Sequence, residues 1–337
     1  QVSRGVTGFV LATLASPVDE LLTYLVGMST VLDAPEGSEA FLGGLVEGTF
    51  MNPAFHGAHN PRWVFPPEVS LLERIIQTRA VRMLNVAPEV SPKSIELIEF
   101  ATKAGVVVGC GHAKPHAECV RDAVAAGLRY VIHLGNGPTG SNLKRFHDGG
   151  LLEETLRNDG LIATLIIDGF HVHPALLRDW IERKEISRTV GVSDAGFAMG
   201  PPEGDFEVFG IRGATSEGRE YLYVRPGDEL PNPRSSDASP LFGSAIDQLR
   251  VFENTVNLLA TERVGVYYRE HAALGLDDAF LAAQAICSKN PAALLGLHDR
   301  GEIEVGQRAD VFLASVEGAP GAIRVTPEAV WVAGARR

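Results

Sequence analysis

The sequence has few cysteines, no long apolar run and fewer basic than acidic side chains. Its three cysteines, Cys110, Cys119 and Cys287, are too few and too scattered for a disulfide scaffold. No apolar run approaches the roughly 20 residues that span a bilayer. The N-terminus has no basic stretch followed by an apolar core. These absences exclude a disulfide-stapled protein and a membrane protein, and they favour a cytoplasmic location.

The charge balance argues against anionic partners. The 337 residues include 30 Lys and Arg against 42 Asp and Glu, which gives a formal net charge of −12. Such a field repels the phosphates of nucleic acids and anionic membranes. A composition of 45% apolar and 21% charged residues is typical of a globular chain and excludes a disordered one. An anionic substrate therefore needs a local positive pocket.

Short apolar runs alternate with helical segments in the first 195 residues. Such alternation indicates parallel strands joined by crossover helices. Ser16 is expected to cap the helix after the first run, with Pro17 as its first residue. Seven runs approach the eight strands of a (β/α)8 barrel, so the predicted fold is an α/β TIM-type barrel that lacks one strand. The runs cover residues 8–12, 42–46, 81–86, 106–108, 130–132, 162–167 and 189–192.

The remaining chain predicts additions to this barrel. Residues 201–240 are rich in Gly and Pro with short extended pieces, which indicates a hairpin insertion. Helical periodicity returns at about 244–274 and again at 277–295. We therefore predict a catalytic barrel over residues 1–300 and, over residues 301–337, the C-terminal part of a small β-sandwich.

Polar side chains follow most of the predicted strands. In a barrel the carboxyl ends of the strands meet at one mouth, where the catalytic groups lie. Imidazole and carboxylate groups suit Zn²⁺ or a similar divalent ion, so Glu47, His112 and His133 are candidate ligands, with Asp194 as the proton acceptor. A single histidine after a strand is more often structural. Several such groups at one end favour a metal site.

Residues 47–53 (Glu-Gly-Thr-Phe-Met-Asn-Pro) and 57–61 (Gly-Ala-His-Asn-Pro) resemble the segment of N-acetylglucosamine-6-phosphate deacetylases that holds their metal-binding glutamate. This family belongs to the amidohydrolase superfamily. The resemblance covers nearly the whole chain. It continues at residues 86–89, 111–112, 133–136, 168–174 and 192–195, and then at 241–244, 290–292 and 301–310.

The resemblance implies a metal-dependent hydrolase that removes acetate from N-acetylglucosamine 6-phosphate or a close epimer. It also implies a homodimer. We expect one divalent ion, because the upstream HxH motif that usually builds a second metal position is absent and three clustered ligands remain; Zn²⁺ is the first choice, with Fe, Mn or Co as alternatives. Because the family has a strand upstream of the segment that starts here at Gly5, we expect that strand to be absent from this chain. By position, the metal ligands are Glu47, His112 and His133, the general acid/base is Asp194, and the substrate contacts are His59, Asn136 and His171.

Other interpretations stay open. Residues 111–114 and 135–138 depart from the family pattern beside the substrate pocket, which weakens the assignment of the sugar. Another amidohydrolase, such as a cyclic amidase or a deaminase acting on a non-phosphorylated substrate, is the alternative enzyme. A non-catalytic scaffold is disfavoured because all four metal-site and acid/base groups are present. Lys144 or Arg145 is a phosphate-contact candidate, and a solvated loop charge is an equal alternative.

Overall fold

The structure is a computed structural model that describes residues 1–34, 38–136, 148–196, 204–219, 221–225, 241–266 and 269–337. Its largest element is a parallel sheet whose seven strands follow the order of the chain. Each strand pairs in parallel with the next. The strands are β1 (Phe9–Thr13), β2 (Phe41–Phe50), β3 (Val81–Val86), β4 (Val107–Cys110), β5 (Leu128–Val131), β6 (Ile162–Ile166) and β7 (Thr189–Val192).

Among the described residues, one α-helix lies in each connection between consecutive strands of this sheet. This arrangement confirms the predicted TIM-type architecture. The predicted side-chain cap at Ser16 is wrong, because Pro17 is the N-cap residue and no side-chain hydrogen bond caps the helix. The helices are α1 (Val18–Leu32), α2 (Val69–Gln77), α3 (Lys93–Lys103), α4 (Ala117–Ala126), α5 (Leu151–Arg157) and α6 (Pro174–Lys184).

The interior of the curled sheet is filled by side chains. Met83, Tyr130 and Ile132 form a buried cluster there, separate from the larger core between the sheet and its helices. Glycines on β4 and just beyond it leave room for this cluster. A Cβ at Gly109 would lie 2.2 Å from the Tyr130 ring, and one at Gly111 would lie 1.8 Å from Ile132. The barrel is thus a packed core with a site at its mouth.

Antiparallel sheets follow the barrel strands. The first comprises β8 (Asp205–Val208), β9 (Ile211–Thr215), β10 (Tyr221–Val224) and β11 (Leu241–Ser244). It covers the described part of the predicted hairpin insertion. A second, two-stranded sheet consists of β12 (Arg263–Val264) and β13 (Glu270–His271). The third contains β14 (Val311–Glu317), β15 (Arg324–Val332) and β16 (Ala335–Arg336), and it contributes to the small sandwich.

The C-terminal helices differ from the periodic segments predicted for them. Helix α7 (Gln248–Leu259) ends well before residue 274, because β12 and β13 form a small sheet there. Helix α8 (Leu276–Gln284) continues through a π-helical turn (Ala285–Lys289) into α9 (Asn290–Leu294). No described helix is long and apolar enough to cross a membrane. The division into domains at residue 300 stays a prediction.

Candidate metal and catalytic site

The predicted ligands lie where parallel strands end. Glu47 is near the carboxyl end of β2, and His112 lies two residues beyond the last residue of β4. His133 and Asp194 hold the equivalent positions after β5 and β7. Since these strands are parallel, their ends place the four side chains around one mouth.

Three histidines surround one oxygen of a buried carboxylate. Oε1 of Glu47 lies 3.1 Å from Nε2 of His133, 3.4 Å from Nε2 of His112 and 3.7 Å from Nε2 of His59. Their side chains, like that of Glu47, are at most 8% exposed. The rings of His112 and its two neighbours meet edge to face. The arrangement is a compact Glu/His cluster shielded from solvent.

Hydrogen bonds at the second ring nitrogen distinguish His59 from His112. Nδ1 of His112 lies 3.0 Å from the carbonyl oxygen of Phe55, which can only accept, so this nitrogen carries the proton. Neutral His112 therefore presents an unprotonated Nε2 to the cluster. Nδ1 of His59 instead accepts the backbone N–H of Ala15 at 3.1 Å. Neutral His59 thus carries its proton on Nε2 and faces Glu47 as a donor.

Burial and charge shift the pKa values of these groups. Burial opposes ionisation of Glu47, but hydrogen bonds from the histidines outweigh it and hold the pKa of this carboxyl well below its usual value. Burial lowers the pKa of His112 to about 4, which keeps its ring neutral. Burial also opposes protonation of His133, but the hydrogen bond to Glu47 raises its pKa to about 9. Burial and the charge of Glu47 raise the pKa of Asp194.

The backbone is strained at three site residues. The φ angles of His112, His133 and Asp194 are 49°, 29° and 47°, in a region that side chains other than glycine rarely occupy. Such conformations persist where surrounding structure imposes them, and they are concentrated at functional sites. Gly57 makes room beside the cluster, because a Cβ there would lie 2.8 Å from Cε1 of His112.

Asn85 ties the ligand-bearing strands together beneath the site. Its Nδ2 donates to the carbonyl oxygens of Glu47, at 3.1 Å, and Gly111, at 3.3 Å. The side chain is fully buried. Thr164 links β6 to β5 in the same way. Its hydroxyl accepts a hydrogen bond from the backbone N–H of His133 at 2.7 Å and donates one to the carbonyl oxygen of Val131. These side chains fix the positions of three strand ends.

The cluster fits a divalent metal ion. Four ligands at about 2.0–2.1 Å in a tetrahedron stand about 3.3 Å from one another. The nitrogens of His112 and His133 stand 3.4 and 3.1 Å from Oε1 of Glu47, close to that spacing. By distance alone, the metal-binding group among the described residues is Glu47, His59 and His112, whose ligand atoms all lie within 4.8 Å of one another. We favour His133 over His59 as third ligand because it follows β5 as His112 follows β4, and because its Nε2 lies closer to Oε1 of Glu47 than Nε2 of His59 does.

All seven residues singled out in the sequence line one cavity of about 750 Å³. Their individual roles stay predictions. Asn136 contributes an amide nitrogen that is buried and has no hydrogen-bond partner among the described residues. His59 lies beside Glu47, with its Nε2 atom 3.7 Å from Oε1 of that carboxylate. Lys144 and Arg145 fall outside the described residues.

The sequence interpretation missed several residues of the site. His56 is 5% exposed, and its Nδ1 lies 2.7 Å from the carbonyl oxygen of His59, so it braces the loop that carries that ring. Tyr24 and Phe209 line the cavity from α1 and from the β8–β9 hairpin. A histidine three residues before His59 was a readable signal. The contribution of Phe209 depends on a contact across distant segments, which no local pattern reveals.

The fold and the buried Glu/His cluster define the architecture of a metal-dependent hydrolase of the TIM-barrel class. The model of the amidohydrolase family matches residues 1–334. The chain therefore belongs to the amidohydrolase family, whose members are hydrolytic enzymes.

Individual proteins similar to this chain are named as deacetylases of amino sugar phosphates. The N-acetylglucosamine-6-phosphate deacetylase of Bacillus subtilis is 27% identical over 320 residues, which cover 93% of this chain and 72% of that protein. An N-acetylgalactosamine-6-phosphate deacetylase of Shewanella is 28% identical over 294 residues, covering 86% of this chain and 62% of the relative. The crystal structure of N-acetyl-D-glucosamine-6-phosphate deacetylase from Mycobacterium smegmatis has a TM-score of 0.80 at 24% identity, covering 99% of this chain and 78% of that chain. The structural likeness supports the fold.

Proposed function

We propose that this protein is a metal-dependent deacetylase that releases acetate from an N-acetyl amino sugar 6-phosphate. The observation that carries the proposal is the buried contact of Glu47 with His112 and His133, in a cavity that Asp194 also lines. The names of the relatives support the amino sugar phosphate as the substrate class. Because these relatives include both epimers, the proposal covers the glucosamine and galactosamine forms.

Glu47, His112 and His133 would hold the ion, and the mixed N/O donor set makes Zn²⁺ our first choice, with Fe, Mn or Co as alternatives. When bound, such an ion acts as a Lewis acid and makes a nucleophile of water at neutral pH. His112 suits this role because its Nδ1–H is held by the carbonyl of Phe55. A hydrogen bond of this kind fixes the ring orientation and tautomer of a ligand.

Asp194 and His59 would move and place the protons. Asp194 takes a proton from the attacking water and delivers it to the leaving amine nitrogen. A raised pKa suits a carboxyl that must hold that proton during the reaction. His59, with its proton on Nε2, donates a hydrogen bond to the amide oxygen as negative charge develops there. Asn136 and His171 would orient the sugar from the cavity wall.

The deciding experiment compares kcat/KM for acetate release from N-acetylglucosamine 6-phosphate, N-acetylgalactosamine 6-phosphate and unphosphorylated N-acetylglucosamine. We expect a clear preference for a phosphorylated sugar, because a remote dianion orients the amide over the site. Equal turnover with and without phosphate would reject the sugar phosphate and retain the hydrolase. Activity on neither class would reject the deacetylase proposal.

A second candidate is another amidohydrolase, such as a cyclic amidase or deaminase, acting on a non-phosphorylated substrate. It is favoured by one observation: among the described residues that line the cavity, none is lysine or arginine. Burying a phosphate without a cation is costly. Turnover of a neutral cyclic amide in the same assay series would support it.

The assembly and location complete the proposal. We propose a C₂ homodimer, on the ground of the resemblance, and a cytoplasmic location, since the three cysteines form no disulfide among the described residues. Light scattering at assay concentration should give twice the chain mass of 36.1 kDa. An active monomer would contradict the dimer.

A further inference from the structure

Asp194 lies where the barrel contacts the first antiparallel sheet. The segment after β7 forms a parallel bridge to β11, in which Ala195 pairs with Ser244. The backbone N–H of Ser244 donates to the carbonyl oxygen of Asp194 at 2.7 Å, and the carbonyl oxygen of Ser244 accepts the N–H of Gly196 at 3.0 Å. The segment that carries Asp194 is therefore held by a strand that is distant in the sequence.

The side chain of Ser244 adds a third contact to the same segment. Its hydroxyl donates a hydrogen bond to the carbonyl oxygen of Ser193 and accepts one from the backbone N–H of Ile246 at 3.3 Å. Ser244 is 0% exposed, so these hydrogen bonds are shielded from solvent. A buried carbonyl that loses such a donor is costly to leave unpaired. The hydroxyl of Ser244 therefore holds the peptide unit that precedes Asp194.

These contacts fix the backbone on both sides of the Cα atom of Asp194. The carbonyl oxygen of Ser193 belongs to the planar peptide unit before Asp194, and the carbonyl oxygen of Asp194 belongs to the unit after it. The rotation of these two planes about the Cα atom sets the φ and ψ angles of the residue. Because Ser244 holds both planes, it stabilises the φ of 47°, which a residue other than glycine rarely adopts.

The close approach of β11 to Asp194 requires a glycine next to Ser244. Gly243 has a φ of 64°, and a Cβ there would lie 2.8 Å from the carbonyl oxygen of Asp194. Gly243 also lines the cavity, as do Leu241 and Phe242 on the same strand. β11 therefore forms part of the cavity wall and also holds the backbone from which the Asp194 side chain extends.

We propose that Ser244 is a positioning residue for Asp194, which it holds in the left-handed backbone conformation that directs the carboxylate at the substrate amide. Ser244 is not among the described residues that line the cavity, so it acts through Asp194 and not by touching the substrate. The inference rests on the proposed function, in which Asp194 transfers the proton. It does not depend on the identity of the sugar or of the metal ion.

The test is a double-mutant cycle of Ser244→Ala and Asp194→Asn. Ser244→Ala removes the hydroxyl and keeps the backbone groups that bond to Asp194 and Gly196. Thr155→Val is the matched control, because Thr155 is also 0% exposed and its hydroxyl donates to the carbonyl oxygen of Leu151 within α5 at 2.6 Å. The metal-loaded proteins are assayed for kcat and KM with N-acetylglucosamine 6-phosphate, or with the galactosamine epimer if the wild type prefers it. Metal content and urea unfolding are measured on the same preparations.

We expect Ser244→Ala to lower kcat by about 10- to 100-fold, because a small displacement of a catalytic group has an effect of this size. KM and metal content should stay at the wild-type values, since the lost interaction acts in the transition state. In the Asp194→Asn background the same substitution should change kcat by less than about twofold, because the group that Ser244 positions is already inactive. Thr155→Val should lose a similar amount of stability and keep the wild-type kcat.

An equal fold loss of kcat in both backgrounds, or a wild-type kcat in Ser244→Ala, would overturn the positioning role and leave the deacetylase intact. A rise in KM alone or a loss of metal would overturn it as well. If no amide is hydrolysed, the proposed function fails. In that case, or if Asp194→Asn is too slow to measure, crystal structures of the wild type and Ser244→Ala decide the question. We expect the Asp194 carboxylate to be displaced in the variant, and an unchanged backbone and side chain at Asp194 would reject the inference.

Discussion

His171 and Asp168 form a buried pair in which Nδ1 of the imidazole lies 2.6 Å from Oδ2 of the carboxylate. The other carboxylate oxygen accepts the backbone N–H groups of Phe170 and His171, both at 2.9 Å. Asp168 therefore fixes the ring plane of His171 and places the proton on Nδ1. The other ring nitrogen of His171, Nε2, is therefore the polar atom that this residue presents to the cavity.

This pair should make stability depend on pH through Asp168. Burial opposes ionisation, but the hydrogen bond and charge of His171 outweigh it, so the pKa of Asp168 is lowered. A lowered pKa in the folded state contributes stability at neutral pH that is lost as pH falls through that lowered pKa. We expect Asp168→Asn to lower the free energy of unfolding at pH 7, and the difference from wild type to shrink on acidification.

Urea denaturation of both proteins at several pH values measures this difference. Asp159→Asn, at an exposed position before β6, is the control and should show no such trend. Because an orienting residue typically contributes 10- to 100-fold, kcat/KM of Asp168→Asn should also fall by about that factor. A constant stability difference over the whole pH range would contradict the role of the ion pair.

The hydrogen bonds at Nδ1 predict different metal contents for two histidine variants. His112→Ala removes a ring whose Nε2 is free to bind an ion, so the protein should lose most of its metal. His59→Ala removes a ring that presents Nε2–H, so metal should be retained while kcat falls. Elemental analysis of protein purified without chelator provides the measurement. Loss of metal from His59→Ala together with retention by His112→Ala would reverse the assignment of the two rings.

Much of this site was predictable because its members follow strands. The seven apolar runs match the seven parallel strands, and any polar residue at a carboxyl end of such a strand reaches the mouth. That rule placed Glu47, His112, His133 and Asp194 at one cavity. The rule needs only the alternation of apolar runs with helical segments in the sequence, and the parallel direction of the strands that this alternation indicates.

Several features of the structure were not predicted because they depend on contacts between residues that are far apart in the sequence. The orientation of His59 depends on the N–H of Ala15, which is 44 residues away in sequence. The buried Asn85 looks like an ordinary strand residue, and its two carbonyl acceptors lie on neighbouring strands. The end of α7 at Leu259 was missed because the apolar period continues into a segment that pairs as a small sheet.

Asp194 should be required for turnover and dispensable for metal binding. Asp194→Asn keeps the shape of the side chain but cannot accept a proton. General acid/base groups typically contribute 10²- to 10⁴-fold, so we expect kcat to fall by about that factor. The metal content, measured on the same preparation, should stay at the wild-type level. A variant with full metal and near wild-type kcat would remove Asp194 from the proton-transfer role.

Substitution of Gly57 separates the effect of backbone strain from the effect of displacing the His112 ring. Gly57 has a φ of 58°, and a Cβ there would lie 2.8 Å from Cε1 of His112. Gly57→Ala should therefore cost about 1–2 kcal/mol from the left-handed backbone and also push His112 out of place. Gly105 is the matched control, because its φ is 79° and a Cβ there would meet nothing within 4 Å. Urea denaturation should show similar losses in stability for both alanine variants. Competition with a metal indicator should show weaker binding only for Gly57→Ala, and equal metal affinity in the two variants would mean that the position of His112 does not control the site.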